Sequence, residues 1–171
     1  MTRAEMRAEA VRLMKSRAKR NRYTNGGNRV YFFGKPEGTN PGYSDCSEAV
    51  RRAILRASGG TVDPGYNTAA QIKNRARGVM IEKDVGTYPT EAKLLPGDCI
   101  YFKGNASHIW DVGHVEMYTG PNECYGHGSG TGPTKKDLRA YCKSRKGKRG
   151  YLCAIRWLPD LVEYTLGDRL L

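Results

Sequence analysis

The sequence predicts an α+β fold, and three observations carry that expectation. Apolar residues recur at helical spacing mainly ahead of Gly78. Beyond it the period shifts to two, in short runs rich in Val, Ile, Tyr and Phe. Turn signals such as Leu95-Pro96-Gly97-Asp98 and Gly120-Pro121-Asn122 punctuate those runs. Helices first and strands later imply helices packed on an antiparallel sheet, not the alternation of a parallel α/β protein. At 171 residues the chain fits one domain spanning 1–171, long enough for a substantial core.

Taken in order, residues 3–20 place Met6, Ala10, Leu13, Met14 and Ala18 on one face of an amphipathic helix. Residues 21–42 are rich in Gly, Asn and Pro but hold Tyr23, Val30, Tyr31, Phe32 and Phe33, so they form an ordered loop, not a linker. The next helix starts at Cys46. Asp45 and Glu48 have the spacing of a capping box, in which Asp45 accepts early backbone N–H groups and Glu48 reaches back. Cys46, Ala49, Val50, Ala53, Ile54 and Ala57 then form its inward stripe, and Ser58-Gly59-Gly60 ends it. A short helix over 67–76 opens at Asn67 or Thr68 and closes by Gly78. Strands follow at 79–82, 99–103, 112–119, 123–126 and 151–157. Between the last two lies the basic stretch 135–149, expected to be a solvated insert with a short helix capped by Thr134; the alternative is a contact surface for anionic polymer.

Lys and Arg number 29 against 17 Asp and Glu, a formal charge of +12, and the mean hydropathy is −0.66. That excess favours an anionic partner: nucleic acid, an anionic membrane surface or an acidic wall polymer. Nucleic acid is disfavoured, because the basic residues are spread along the chain and the aromatics form no stacking motif. The N-terminal residues mix charges and lack an apolar core, and no uninterrupted apolar run of about 18 residues occurs. Synthesis in the cytoplasm without a signal peptide and without a membrane span is the expectation. Cys46, Cys99, Cys124, Cys142 and Cys153 are odd in number and include no C-x-x-C pair, so they are expected to be thiols, with neither a disulfide framework nor a zinc site.

Cys46 falls at the first helical position, where free N–H groups and the helix dipole favour a thiolate. The dipole supplies only about 0.3–1 kcal/mol, too little to make a reactive thiolate alone. A histidine partner is required, and the sequence has three, His108, His114 and His127. Strand alternation puts His114, Glu116 and Tyr118 on one face and Val115 and Met117 on the other. The turn at 120–122 folds the next strand back and brings His127 towards His114. His108 lies in a loop as a surface residue and is the alternative partner if His127 points elsewhere.

Four ordered blocks between about residues 20 and 130 carry a family likeness: Tyr23 with Gly26-Gly27; Asp45-Cys46-Ser47; Leu94-Leu95-Pro96-Gly97-Asp98; and His114-Val115-Glu116-Met117-Tyr118-Thr119-Gly120 followed by His127. In these the chain resembles the NlpC-type cell-wall cysteine endopeptidases of the papain-like superfamily. The resemblance implies a papain-like α+β fold with the catalytic cysteine at a helix N-terminus. It makes Cys46 the nucleophile, His114 its base and His127 the residue that orients His114. Tyr23, Asp45 and Ser47 match positions that hold the peptide stem in members cutting next to D-glutamate, and Glu116 adds a carboxylate on the side of the strand that bears His114. No metal or cofactor is implied. The chain departs from the pattern in its longer loop from Gly27 to Asp45 and in Glu48, which replaces a common glycine.

A thiolate–imidazolium pair is worth about 4 kcal/mol at about 4 Å and an effective dielectric near 20, more than the dipole offers. The function expected is peptidoglycan hydrolysis by a cysteine endopeptidase. The alternatives are an N-acetylmuramoyl-L-alanine amidase and a non-catalytic module that binds anionic wall polymer or nucleic acid. Small size and high positive charge look like a phage or prophage lysin, monomeric, reaching the wall through a separate permeabilising factor or as part of a phage particle.

Overall fold

The computed structural model describes residues 1–105 and 110–161; His108 lies outside them. Helix α1 (Arg3–Ser16) opens on a complete capping box between Thr2 and Glu5. It stops at Arg17, four residues before the first strand, β1 (Asn21–Tyr23). The loop that follows ends in β2 (Gly42–Ser44), which runs straight into α2 (Cys46–Ala57). After α3 (Thr68–Lys73) come β3 (Val79–Lys83), β4 (Cys99–Lys103), β5 (Val112–Gly120) and β6 (Glu123–Gly126). The chain then forms β7 (Thr131–Gly132), β8 (Thr134–Asp137), α4 (Leu138–Ser144) and β9 (Tyr151–Arg156).

Two sheets result. The larger has the order β3-β9-β4-β5-β6-β8 and is antiparallel throughout. The smaller is β2-β1-β7, in which β1 and β2 pair in parallel, so it fixes the chain immediately before Cys46. Among the described residues no helix is long and apolar enough to cross a membrane.

The larger sheet is buried on both faces. One face carries Cys99, Tyr101, Val115, Met117, Cys153 and Ile155 against the apolar stripes of α1 and α2. On the other, Ile100, Phe102, Tyr118 and Ala154 meet Leu138 and Cys142 of α4. The basic stretch is solvated along most of its length, as expected, but it is also part of the fold. It supplies an edge strand and a helix whose Leu138, Tyr141 and Cys142 follow the i, i+3, i+4 rule and close the second face. Its cap is Asp137, which accepts from the Ala140 N–H at 2.8 Å; Thr134 lies within β8 instead.

The Leu95-to-Asp98 turn has a structural explanation. Asp98 accepts the Leu95 N–H at 2.8 Å and accepts from Arg156 Nε and Nη2 at 2.8 and 2.9 Å, tying the start of β4 to the end of β9. Burial pushes the Asp98 carboxyl above its ordinary value, against the pull of Arg156. Gly97 sits at φ +102°, and a Cβ there would come within 3.0 Å of Arg7 on α1, so this turn admits glycine for both reasons.

Candidate active site

Cys46 is the first residue of α2, at the position where a helical N–H has no intrahelical acceptor. All six residues of the predicted stripe are buried, Cys46 being 8% exposed. Only half of the capping box forms. Asp45 Oδ1 accepts the Glu48 N–H at 2.8 Å, but the Glu48 carboxylate turns away to Arg51 and Arg52, at 2.9 and 2.8 Å, whose cations outcompete a backbone N–H. The start of α2 is tied to the sheet by Gln71, which donates to the Ser47 carbonyl at 3.1 Å and accepts from Tyr101 at 2.8 Å.

His114 extends from β5 towards Cys46, and its nearness to the thiol favours the charged form of the ring. Its Nε2 lies 2.6 Å from Glu116 Oε1, which leaves Nδ1 for the thiol. Burial opposes a charged ring, but Cys46 and Glu116 together outweigh it, and His114 is pushed up to about 9. The ring packs between Phe102 and Tyr141, with centroids 6.1 and 5.9 Å away.

His127 does not take the place expected for it. Its Nδ1 lies 2.7 Å from Ser44 Oγ and its Nε2 lies 3.1 Å from the Gly130 carbonyl, so both nitrogens are engaged away from His114. A carbonyl only accepts, so Nε2 carries the proton and Nδ1 accepts from Ser44. Ser44 in turn accepts from Asn21 at 3.3 Å, and Asn21 accepts from Arg17 at 2.9 Å. This buried chain links α1, β1, β2 and the segment after β6. Burial pushes His127 below its ordinary value, consistent with a neutral ring.

The expected substrate-binding residues divide. Tyr23, Asp45 and Ser47 gather around Cys46. Tyr23 is 36% exposed, packs edge-on against His127 at 5.4 Å, and is pushed up by burial and by its nearness to Cys46 and Asp45. Ser47 donates to Asp45 Oδ1 at 2.9 Å, while Arg29 from the long loop holds Asp45 Oδ2 at 2.9 Å. Glu116 is different. At 0% exposure it cannot touch a substrate, and it faces His114 and Lys136 instead.

Lys136, Gln71 and Ser44 were not singled out in the sequence. Lys136 had a signal: as part of a strand at 134–137, it would share a face with Thr134 and lie in register with Cys124 and Tyr118. Gln71 and Ser44 left no trace, because their partners are backbone or distant side chains.

The site is thus a thiol at a helix start, an imidazole on an antiparallel strand and a buried carboxylate behind it. Neither a family model nor a curated protein matches the sequence. Among solved structures the chain is similar to NlpC2 from Trichomonas vaginalis, at 21% identity and a TM-score of 0.60, over 90% of this chain and 46% of that one. It is similar to the P60 domain of an antigen from M. avium subspecies paratuberculosis, at 18% identity and a TM-score of 0.58, over 90% of this chain and 96% of that domain. A lipoprotein-like NLP/P60 protein from Staphylococcus aureus matches at 15% identity and a TM-score of 0.58, over 91% and 42%. The chain adopts an NlpC/P60-type fold. It spans a little under half the length of NlpC2 and of NlpC1 from the same Trichomonas species, at 46% and 44%.

Proposed function

We propose that the chain is a cysteine peptidase that hydrolyses amide bonds in the peptide stems of peptidoglycan. One observation carries the proposal: Cys46, at the positive end of α2, has beside it His114, whose Nε2 is held at 2.6 Å by the buried Glu116. The motif likeness to cell-wall endopeptidases and the NlpC/P60-type fold support the substrate class.

In this reading the Cys46 proton passes to His114 Nδ1 and the thiolate attacks the amide carbonyl carbon. The Cys46 N–H donates to the oxyanion that forms. The imidazolium returns its proton to the leaving amine as the C–N bond breaks, leaving a thioester. His114 then takes a proton from water, whose oxygen attacks the thioester and releases the acid and the thiol. His127 serves as a strut: through Ser44 it holds β2, which delivers Asp45 and Cys46. Tyr23, Asp45 and Ser47 line the approach of the peptide, with Arg29 covering Asp45. The formal charge of +12 suits an anionic wall and fits a monomeric phage or prophage lysin.

The test is loss of turbidity of purified cell walls, with mass analysis of the fragments released. Wild type clears the walls and exposes a new N-terminus within the stem, while Cys46→Ala does neither. Equal clearing by both proteins contradicts the thiol mechanism. A freed lactyl group would make the enzyme an amidase, and salt-sensitive nucleic-acid binding without clearing would make it a binding module.

A further inference from the structure

We infer that Glu116, held in place by Lys136, is the positioning residue for His114, so that the third member of the site comes from the histidine's own strand and not from β6. This rests on the proposed role of Cys46 and His114 as a thiol–imidazole pair.

Four observations converge. His114 and Glu116 are two apart on β5, so alternation sets their side chains on one face, and Nε2 meets Oε1 at 2.6 Å. The carboxylate is 0% exposed, and Lys136 Nζ lies 3.0 and 3.2 Å from its two oxygens. A Cβ on Gly126 would lie 2.4 Å from Glu116 Oε1. Glycine at that point of β6 leaves the space beside His114 to the carboxylate, where a side chain from β6 would displace it. Finally, both ring nitrogens of His127 are bonded elsewhere.

Lys136 is itself fully engaged. Its ammonium donates to the Gly126 carbonyl at 3.2 Å and Thr134 Oγ1 at 3.1 Å as well as to Glu116, which matches its three protons. It also lies 5.3 Å from the centre of the Tyr141 ring. Anchored to β6 and β8, it fixes the carboxylate in the plane where Oε1 receives the Nε2 proton. The charged or titratable groups around the pair are Cys46 from α2, Cys124 and Lys136 from β6 and β8, Tyr141 and Cys142 from α4, and His127 beyond β6. Lys136 is the cation in direct contact, so the negative charge facing His114 is that of Glu116.

The test needs no substrate. Ring-nitrogen NMR of histidine-labelled protein follows the His114 titration, and alkylation of Cys46, located by mass analysis, reports the pair. In wild type His114 should titrate well above an ordinary imidazole, at about 9. Glu116→Gln should lower that titration by about one unit or more, whereas His127→Gln should leave it within about 0.3 unit. The charge-balanced double variant Glu116→Gln/Lys136→Met removes both charges at similar volume and should show the same lowering. Lys136→Met should slow Cys46 alkylation at pH 7 by at least about fivefold, with recovery in Lys136→Arg. An unchanged His114 titration in both Glu116 variants, or a drop on His127→Gln instead, overturns the assignment. Unchanged alkylation in Lys136→Met overturns the part given to Lys136. A His114 titration that responds to Glu116 in a protein that fails to clear walls would contradict the peptidase reading and leave this one standing.

Discussion

Helices α2 and α4 cover opposite faces of one sheet, yet the sequence signals α2 far more clearly than the short helix that becomes α4. α2 has a cap, an unbroken apolar stripe and a glycine pair at its end. α4 has seven residues inside a run of lysines and arginines, and its three inward residues are outnumbered by charge. The difference teaches that burial depends on the phase of a few apolar residues and not on the mean polarity of a segment. Leu138 is as deeply buried as Ile54. Long basic side chains beside α4 also spread over apolar surface, as Arg145 does over Phe102 and Tyr141.

Substitutions at the two helices should have separable effects. Chemistry belongs to the α2 end, so Cys46→Ala and His114→Ala should each reduce release of wall fragments by at least about a thousandfold, and the double variant should be little worse, because the pair acts as a unit. Leu138→Ala should keep the chemistry of the folded molecules but cost about 2–4 kcal/mol in urea unfolding, as should Ile54→Ala. A cost below about 1 kcal/mol at Leu138 would make the basic stretch a solvated insert only.

The two histidines give opposite pH limbs. His114 is raised, so its contribution to stability is full below the unfolded value near 6.5 and is lost as pH rises through about 9. His127 is lowered, so its contribution is present above the unfolded value and is lost as pH falls through its folded value. Thermal unfolding against pH should show the acid limb flattened by His127→Gln and the alkaline limb flattened by His114→Gln. The smallest effect expected is at the α4 cap: Asp137→Ala should cost about 1 kcal/mol, and Thr134→Ala should leave the cap intact.

Legibility followed the range of the interactions. Helix stripes, strand alternation and turns are local, so α2, α3, β4, β5, β6 and β9 fell close to their predicted bounds, and the Cys46 and His114 positions with them. Strands β1, β2, β7 and β8 are short and paired with distant partners, and they lay hidden in stretches that looked like loop. The same limit explains His127 and Glu116. Hairpin register brought His127 near, but Ser44, 83 residues away in sequence, claims its ring. Glu116 was placed on the correct face, but without α4 that face looked open to substrate.

The central claim is that Cys46 and His114 form one reactive unit. It is tested most directly by the rate at which a small alkylating agent modifies Cys46 at pH 6, measured by mass analysis of the peptide that contains it. Wild type should react at least about tenfold faster than His114→Ala, because the histidine makes the thiolate available. Equal rates in the two proteins, with the fold intact in both, would contradict it.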